Sequence, residues 1–121
     1  MPTVLTVDDE LNVRLLISVN FMARGIEVIE AETAEVALEK LNRFIPDLIL
    51  LDIGLPSMDG WEFLNCLALE PQFQNIRVLL LTSSTTDPAQ KTPYAWIVGH
   101  LVKPVSMSHL IQVVSTLLQK N

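Results

Sequence analysis

Short apolar runs alternate with stretches of helical periodicity along the whole chain. Thr3 to Val7 reads as a strand. From Glu10 to Ala23, apolar residues recur at Leu11, Leu15, Val19 and Met22, the spacing of one helical face, and Arg24-Gly25 closes the helix. Ile26 to Ala31 reads as a second strand. Thr33 stands where a helix cap is expected, ahead of inward positions Ala34, Ala37, Leu38 and Leu41. Asp47 to Asp52 is a third strand without polar alternation. Leu55 to Gly60 is a turn that opens a helix through Phe63, Leu64 and Leu67. Ile76 to Leu81 is a fourth strand, again apolar throughout. The stretch from Thr82 to Pro93 is the least regular: Pro88 can open a short helix, and Pro93 must end it. Ile97 to Val102 is a fifth strand, and Ser106 caps a last helix striped by Leu110, Val113, Val114, Leu117 and Leu118.

Five β-α alternations with strands apolar on both faces predict an α/β fold, a parallel sheet covered by helices on each side with right-handed crossovers. In such folds ligands bind beyond the carboxyl ends of the strands. The 121 residues carry no repeat, low-complexity tract or linker, so residues 1–121 are expected to form one domain with one core.

Composition narrows the partners. The chain has 14 acidic and 8 basic residues, a net charge of -6, which argues against a nucleic-acid surface built on clustered Lys and Arg, and against an anionic membrane surface. Mean hydropathy is high, +0.38. Its longest apolar runs, such as Leu48-Ile49-Leu50-Leu51, fall far short of the roughly 20 residues of a spanning helix, so buried strands must account for it. One cysteine, Cys66, excludes an internal disulfide, and Met1-Pro2-Thr3 lacks signal-peptide character. The cytoplasm is the expected compartment.

The strand ends carry the chemistry. Asp8-Asp9-Glu10 follows the first strand, Asp52 ends the third, Thr82-Ser83-Ser84 the fourth and Lys103-Pro104 the fifth. Carboxylates packed at one rim need a cation or a proton. Hard oxygen ligands around an open site suit Mg²⁺, and a carboxylate can attack phosphorus to give an acyl phosphate. Taken singly each residue has a plain reading: Asp8 and Asp9 as helix-end acids, Asp52, Gly54 and Thr82 as turn residues, Lys103 as a surface lysine, Cys66 as packing, and Trp61 and Trp96 as part-buried core.

Together, Val7-Asp8-Asp9-Glu10, Asp52, Leu55-Pro56-Ser57-Met58-Asp59-Gly60-Trp61-Glu62, Leu81-Thr82-Ser83 and Leu101-Val102-Lys103-Pro104 resemble the receiver domain of bacterial two-component response regulators, in order and at the right intervals along the whole chain. The resemblance implies a flavodoxin-like doubly wound five-stranded sheet in the order 2-1-3-4-5 with five helices. It implies that Asp52 accepts a phosphoryl group from the phosphohistidine of a sensor histidine kinase or a phosphotransfer protein. It implies Mg²⁺ (or Mn²⁺) held by Asp9 directly, by Asp8 mainly through water, by Asp52, and by the main-chain carbonyl of Gly54. Thr82 would bind the phosphoryl oxygen, Lys103 would pair with Asp52 and then with the phosphoryl group, and the Lys103-Pro104 bond would be cis.

Three positions depart from that pattern. His100 occupies the place of the switch aromatic, three residues before the lysine, and a histidine there would respond to pH near neutrality. Ser83 replaces a smaller residue beside Thr82. Neither Gly54 nor Ser84 offers a side chain to orient an attacking water, as carboxamides or carboxylates do, so slow self-catalysed dephosphorylation is expected. Pro88, Thr92-Pro93-Tyr94 and Trp96-Ile97 alter the fourth-helix region, where partners normally contact the family. The expected function is a phosphorylation-dependent signalling module and not an enzyme, with an unnamed effector, acting as a monomer or a phosphorylation-dependent dimer. Met1 and a helix reaching the last residues favour a stand-alone receiver over a domain cut from a longer chain. The competing readings are a phosphatase of the haloacid dehalogenase type, which needs a general acid where Gly54 stands, and a receiver-like module that works without phosphate.

Overall fold

The apolar runs of the three central strands bury both of their faces, while the two edge strands are only partly buried. A computed structural model of the chain describes residues 1–55, 60–73, 75–82 and 96–119. In chain order these form β1 (Thr3–Val7), α1 (Leu11–Met22), β2 (Glu27–Ala31), α2 (Ala34–Leu41), β3 (Leu48–Asp52), α3 (Gly60–Ala68), a 3₁₀ turn (Pro71–Phe73), β4 (Arg77–Thr82), β5 (Ile97–Val102) and α4 (Met107–Leu118). All strand pairs are parallel, in the order β2-β1-β3-β4-β5. Strand ends fall within a residue of the positions read from the sequence. The described residues hold four α-helices, and the short helix expected between Pro88 and Pro93 lies outside them, as do Pro56 to Asp59.

Side chains alternate across each strand, which sorts the core into two layers. Leu5, Val7, Ile49, Leu51, Val78 and Leu80 pack with Ala34, Ala37 and Leu41 of α2 and Phe63, Leu64 and Leu67 of α3. Val4, Leu48, Leu50, Leu79 and Leu81 pack with Ile17 and Phe21 of α1 and Leu110 and Val114 of α4. Every residue of β3 is buried, as the central strand of a doubly covered sheet must be. Trp61 and Trp96 are half-buried and pack against the first layer. No helix among the described residues is long and apolar enough to cross a membrane.

The helix ends follow their caps. The Thr33 hydroxyl accepts from the Val36 N–H at 3.1 Å, and the Ser106 hydroxyl accepts from the His109 N–H at 3.2 Å. Gly25, at φ +77°, takes the left-handed turn after α1, with the Ile26 N–H donating back to the Phe21 carbonyl.

In α1 the apolar face read from the spacing is the outer one. Leu11, Leu15, Val19 and Met22 point outward, and with Leu16 they are 47% to 68% exposed. The buried face is Arg14, Ile17, Ser18 and Phe21. Apolar residues surround most of this helix, so spacing alone does not choose a side. The sheet selects Ile17 and Phe21, which lie with Arg14, the only charged residue of α1, and Arg14 finds polar partners inside.

Gly60 starts α3 against the segment that follows Asp52. Its N–H donates to the Ile53 carbonyl at 3.0 Å, and a Cβ there would stand 2.7 Å from the Ile53 Cα. Backbone meets backbone, so neither side can yield cheaply. Gly60→Ala is expected to destabilise the protein by about 1–3 kcal/mol, the usual range for overpacking. Urea denaturation measures it, and an unchanged midpoint and slope would refute the packing argument.

Candidate functional site

Strand register brings the acids together. Val7 of β1 lies beside Leu51 of β3, so the next residues in register are Asp8 and Asp52. Adjacent strands run about 4.8 Å apart, which forces two carboxyl-bearing residues into one neighbourhood. On the other side, Asp52 pairs with Leu81 of β4, which places Thr82 one step beyond, and Thr82 pairs with Val102 of β5, which places Lys103 one step beyond that. The Lys103 N–H donates to the Thr82 carbonyl at 2.8 Å. Lys103 must cross β4 to reach β3, two strand spacings or about 10 Å, and a lysine has the length to do it.

It does reach. Lys103 Nζ lies 2.7 Å from Asp52 Oδ2. The second oxygen, Oδ1, accepts from the Gly54 N–H at 3.0 Å. Asp52 is buried, with a side chain only 8% exposed, while Lys103 keeps its side chain 30% exposed. The Asp52 carboxylate is therefore fixed in orientation at the floor of the rim. Gly54 itself is exposed, so its backbone faces the solvent side of the site. Thr82 is buried at the end of β4, and His100 is half-buried in β5 beside Leu80. The Lys103-Pro104 peptide is cis. Ser83 and Ser84 lie outside the described residues.

Asp8 is the most buried acid among the described residues, 1% exposed. Its Oδ1 accepts from the Glu10 N–H at 2.9 Å, and its N–H donates to the Ala31 carbonyl at 3.1 Å. Its Oδ2 is buried and has no hydrogen-bond partner. The cap of α1 is Glu10, which makes no side-chain cap bond, so neither aspartate serves that helix as an N-cap. Ligand oxygens of Asp8, Asp9 and Glu10 all lie within 4.8 Å of one another. An orphaned carboxylate oxygen at a cluster of hard oxygen donors is the arrangement a divalent cation would complete. Glu10 was not among the metal candidates read from the sequence; its adjacency to the two aspartates was the available signal.

Burial pushes the Asp8 carboxyl above its ordinary value; the Glu10 N–H opposes this, and the charge of Asp52 adds to it. For Lys103, burial works downward, but the hydrogen bond and charge of Asp52, with the charges of Asp8 and Glu10, outweigh it and hold the ammonium above its ordinary value. The Lys103 shift records the negative charge around it, whereas the Asp8 shift is set first by burial and only then by the charge of Asp52.

The response regulator receiver domain family model matches residues 4–115. Sporulation initiation phosphotransferase F of Bacillus subtilis is 31% identical over 108 residues, covering 88% of this chain and 86% of that protein. The chain spans 26% to 35% of four longer relatives that it also matches. Among solved structures, the chemotaxis response regulator CheY4 of Vibrio cholerae superposes with a TM-score of 0.85 at 30% identity, covering 97% of this chain and 98% of that one. The Thermotoga maritima response regulator TrrA, solved in complex with Mg²⁺ and BeF, gives 0.79 at 29% identity, covering 97% and 99%.

Because the folded-state pKa of Asp8 is raised, the stability linked to its proton is fully present below the ordinary value of 3.8 and is lost as pH rises through the raised value. At neutral pH without divalent cations, the Asp8 charge is thus a liability. Asp8→Asn is expected to raise the melting temperature there by roughly 3–5 °C, about 1 kcal/mol for a domain this size. The gain should shrink as pH falls toward 3.8. Thermal melts across pH check this, and a variant less stable than wild type at pH 7 would contradict it.

Proposed function

The chain belongs to the response regulator receiver domain family, and from that premise we propose that Asp52 is the phosphoacceptor of this signalling module. The observation that carries the assignment is the Asp52 carboxylate, buried at the end of the central strand and held by Lys103 Nζ at 2.7 Å and the Gly54 N–H at 3.0 Å. The donor is the phosphohistidine of a sensor histidine kinase or a phosphotransfer protein. An Asp52 oxygen attacks phosphorus, a new P–O bond forms, the P–N bond breaks, and the imidazole nitrogen keeps the electron pair and takes up a proton. Lys103 first holds Asp52 in place and then pairs with the phosphoryl group. The Thr82 hydroxyl donates to a phosphoryl oxygen.

Asp8, Asp9 and Asp52, with the Gly54 carbonyl and Glu10 at the edge of the cluster, would hold Mg²⁺ (or Mn²⁺). When bound, the metal offsets the negative charge of the transferring group. The orphaned Oδ2 of Asp8 supports that reading. Gly54 has no side chain to act as a general acid or to place a water, which favours a long-lived acyl phosphate over the turnover of a haloacid dehalogenase-type phosphatase. The paired Asp52 and Lys103 speak against a receiver-like module that works without phosphate. His100, half-buried in β5, is assigned the part of the switch residue that follows Thr82. The compartment is the cytoplasm, and the unit is residues 1–121.

A donor protein must cover the rim to deliver its phosphoryl group. The neighbouring surface suits contact: the exposed side of α1 is apolar, and α1 has no exposed charge. A groove lined by Glu10, Val13, Leu16, Lys103, Pro104 and Met107 joins that side to the rim. The phosphohistidine-bearing surface of the donor is taken to lie there.

Two outcomes follow. Incubated with a small phosphodonor and Mg²⁺, wild type should gain one labile phosphoryl group by intact mass, and Asp52→Asn should gain none. An equal gain in both would overturn the assignment. Leu15→Asp should slow transfer from the cognate phosphohistidine protein about tenfold or more, the loss of roughly 1.4 kcal/mol of contact. Its reaction with the small phosphodonor should stay unchanged; equal slowing in both assays would remove α1 from the donor surface.

A further inference from the structure

A buried arginine is a costly placement unless its charge and donors are used. Arg14 is 8% exposed, on the face of α1 that otherwise carries Ile17, Ser18 and Phe21. Its Nη1 donates to the main-chain carbonyl of Asp8 at 2.8 Å. Its Nε donates to Glu30 Oε1 of β2 at 3.3 Å. The guanidinium therefore spans the end of β1, the start of α1 and the carboxyl end of β2.

Its effect falls on one residue. The Asp8 N–H is held by the Ala31 carbonyl, the Asp8 carbonyl by Arg14, and Oδ1 by the Glu10 N–H. Only Oδ2 is left, buried and unpartnered. With the backbone gripped on both sides, the carboxylate cannot turn to find another donor. The ion pair with Glu30 supplies Arg14 with a counter-charge of its own, so Arg14 steadies the loop through the carbonyl. Groups that orient a ligand in this way tune metal affinity as strongly as many ligands do.

We infer that Arg14, oriented by Glu30, is the positioning residue of the Asp8-Asp9 loop and sets its affinity for a divalent cation. The inference rests on the metal reading given under Proposed function. It separates two roles in the site: Asp52 and Lys103 carry the phosphoryl chemistry, while Arg14 and Glu30 determine how much metal that chemistry requires.

The test uses the full chain and Mg²⁺ alone, titrated by calorimetry. Arg14→Met, which keeps the apolar stem, should weaken Mg²⁺ binding about 10-fold or more. Phosphorylation of Asp52 by a small phosphodonor should return to within about twofold of wild type once Mg²⁺ is saturating, since only the metal loop is disturbed. Arg14→Lys should recover part of the affinity, because an ammonium can still donate to the Asp8 carbonyl. Glu30→Gln should shift affinity in the same direction by less, and it decides the matter if Arg14→Met does not fold. A folded Arg14→Met with wild-type Mg²⁺ affinity and a lowered melting temperature would make Arg14 purely structural and overturn the inference. A rate loss that saturating Mg²⁺ does not restore would overturn it as well. If wild type itself binds no Mg²⁺, the metal reading fails first and this inference falls with it.

Discussion

Repulsion between two buried carboxylates, Asp8 and Asp52, at an otherwise open rim is the constraint around which this protein is organised. Register sets Asp8 beside Asp52 on neighbouring parallel strands, and both are buried. Two like charges about 5 Å apart repel by about 3 kcal/mol at intermediate polarity. Among the described lysines and arginines, Lys103 is the one that answers them directly, and it answers Asp52. Asp52 is thus held and oriented, while Asp8 keeps a buried oxygen with no partner. The asymmetry is chemically useful. One carboxylate is aimed, and the other creates a demand for a cation or a proton beside it.

The sheet order makes this arrangement available. In a parallel sheet every strand delivers its carboxyl end to the same edge. With β3 in the centre, β1 supplies acids from one side, and β4 and β5 supply hydroxyl and ammonium from the other. Alternation then divides the labour within each strand. Ile49 and Leu51 face one helical layer, Leu48 and Leu50 face the other, and the strand can end in a carboxylate because the four residues before it are entirely apolar. The cost of the charged rim is carried by a core that lies below it and does not share its chemistry.

Much of this was legible in the residues, and the failures have physical causes. The strands could be read because burial on both faces leaves unbroken apolar runs such as Leu48 to Leu51. The caps Thr33 and Ser106 could be read because their hydroxyls serve local N–H groups. The inward face of α1 could not. Leu11, Leu15, Val19 and Met22 have good helical spacing, yet Ile17 and Phe21 also do, and the choice between faces is made by the sheet. Arg14 and Ser18 are carried inward with Ile17 and Phe21, and Arg14 finds partners that lie far away in sequence. Glu10 was passed over for a related reason: nothing local distinguishes a third acid that joins a cluster from one that only faces water.

Helix α1 therefore carries two surfaces with opposite characters and one purpose. Its inner side ties Asp8 and Glu30 together through Arg14, and its outer side is apolar and free of charge. On the proposed reading a donor would dock on the outer side, while the inner side holds the acidic loop near Asp52. Packing alone would let a helix slide by small steps, since apolar contacts are non-directional. The Arg14 bond to the Asp8 carbonyl and its pairing with Glu30 are directional, and a slide of the helix would break both. Rigidity between the outer side of α1 and the acidic loop is thus supplied by the one charged residue in α1, which explains why an arginine occupies a position that a leucine would fill more cheaply.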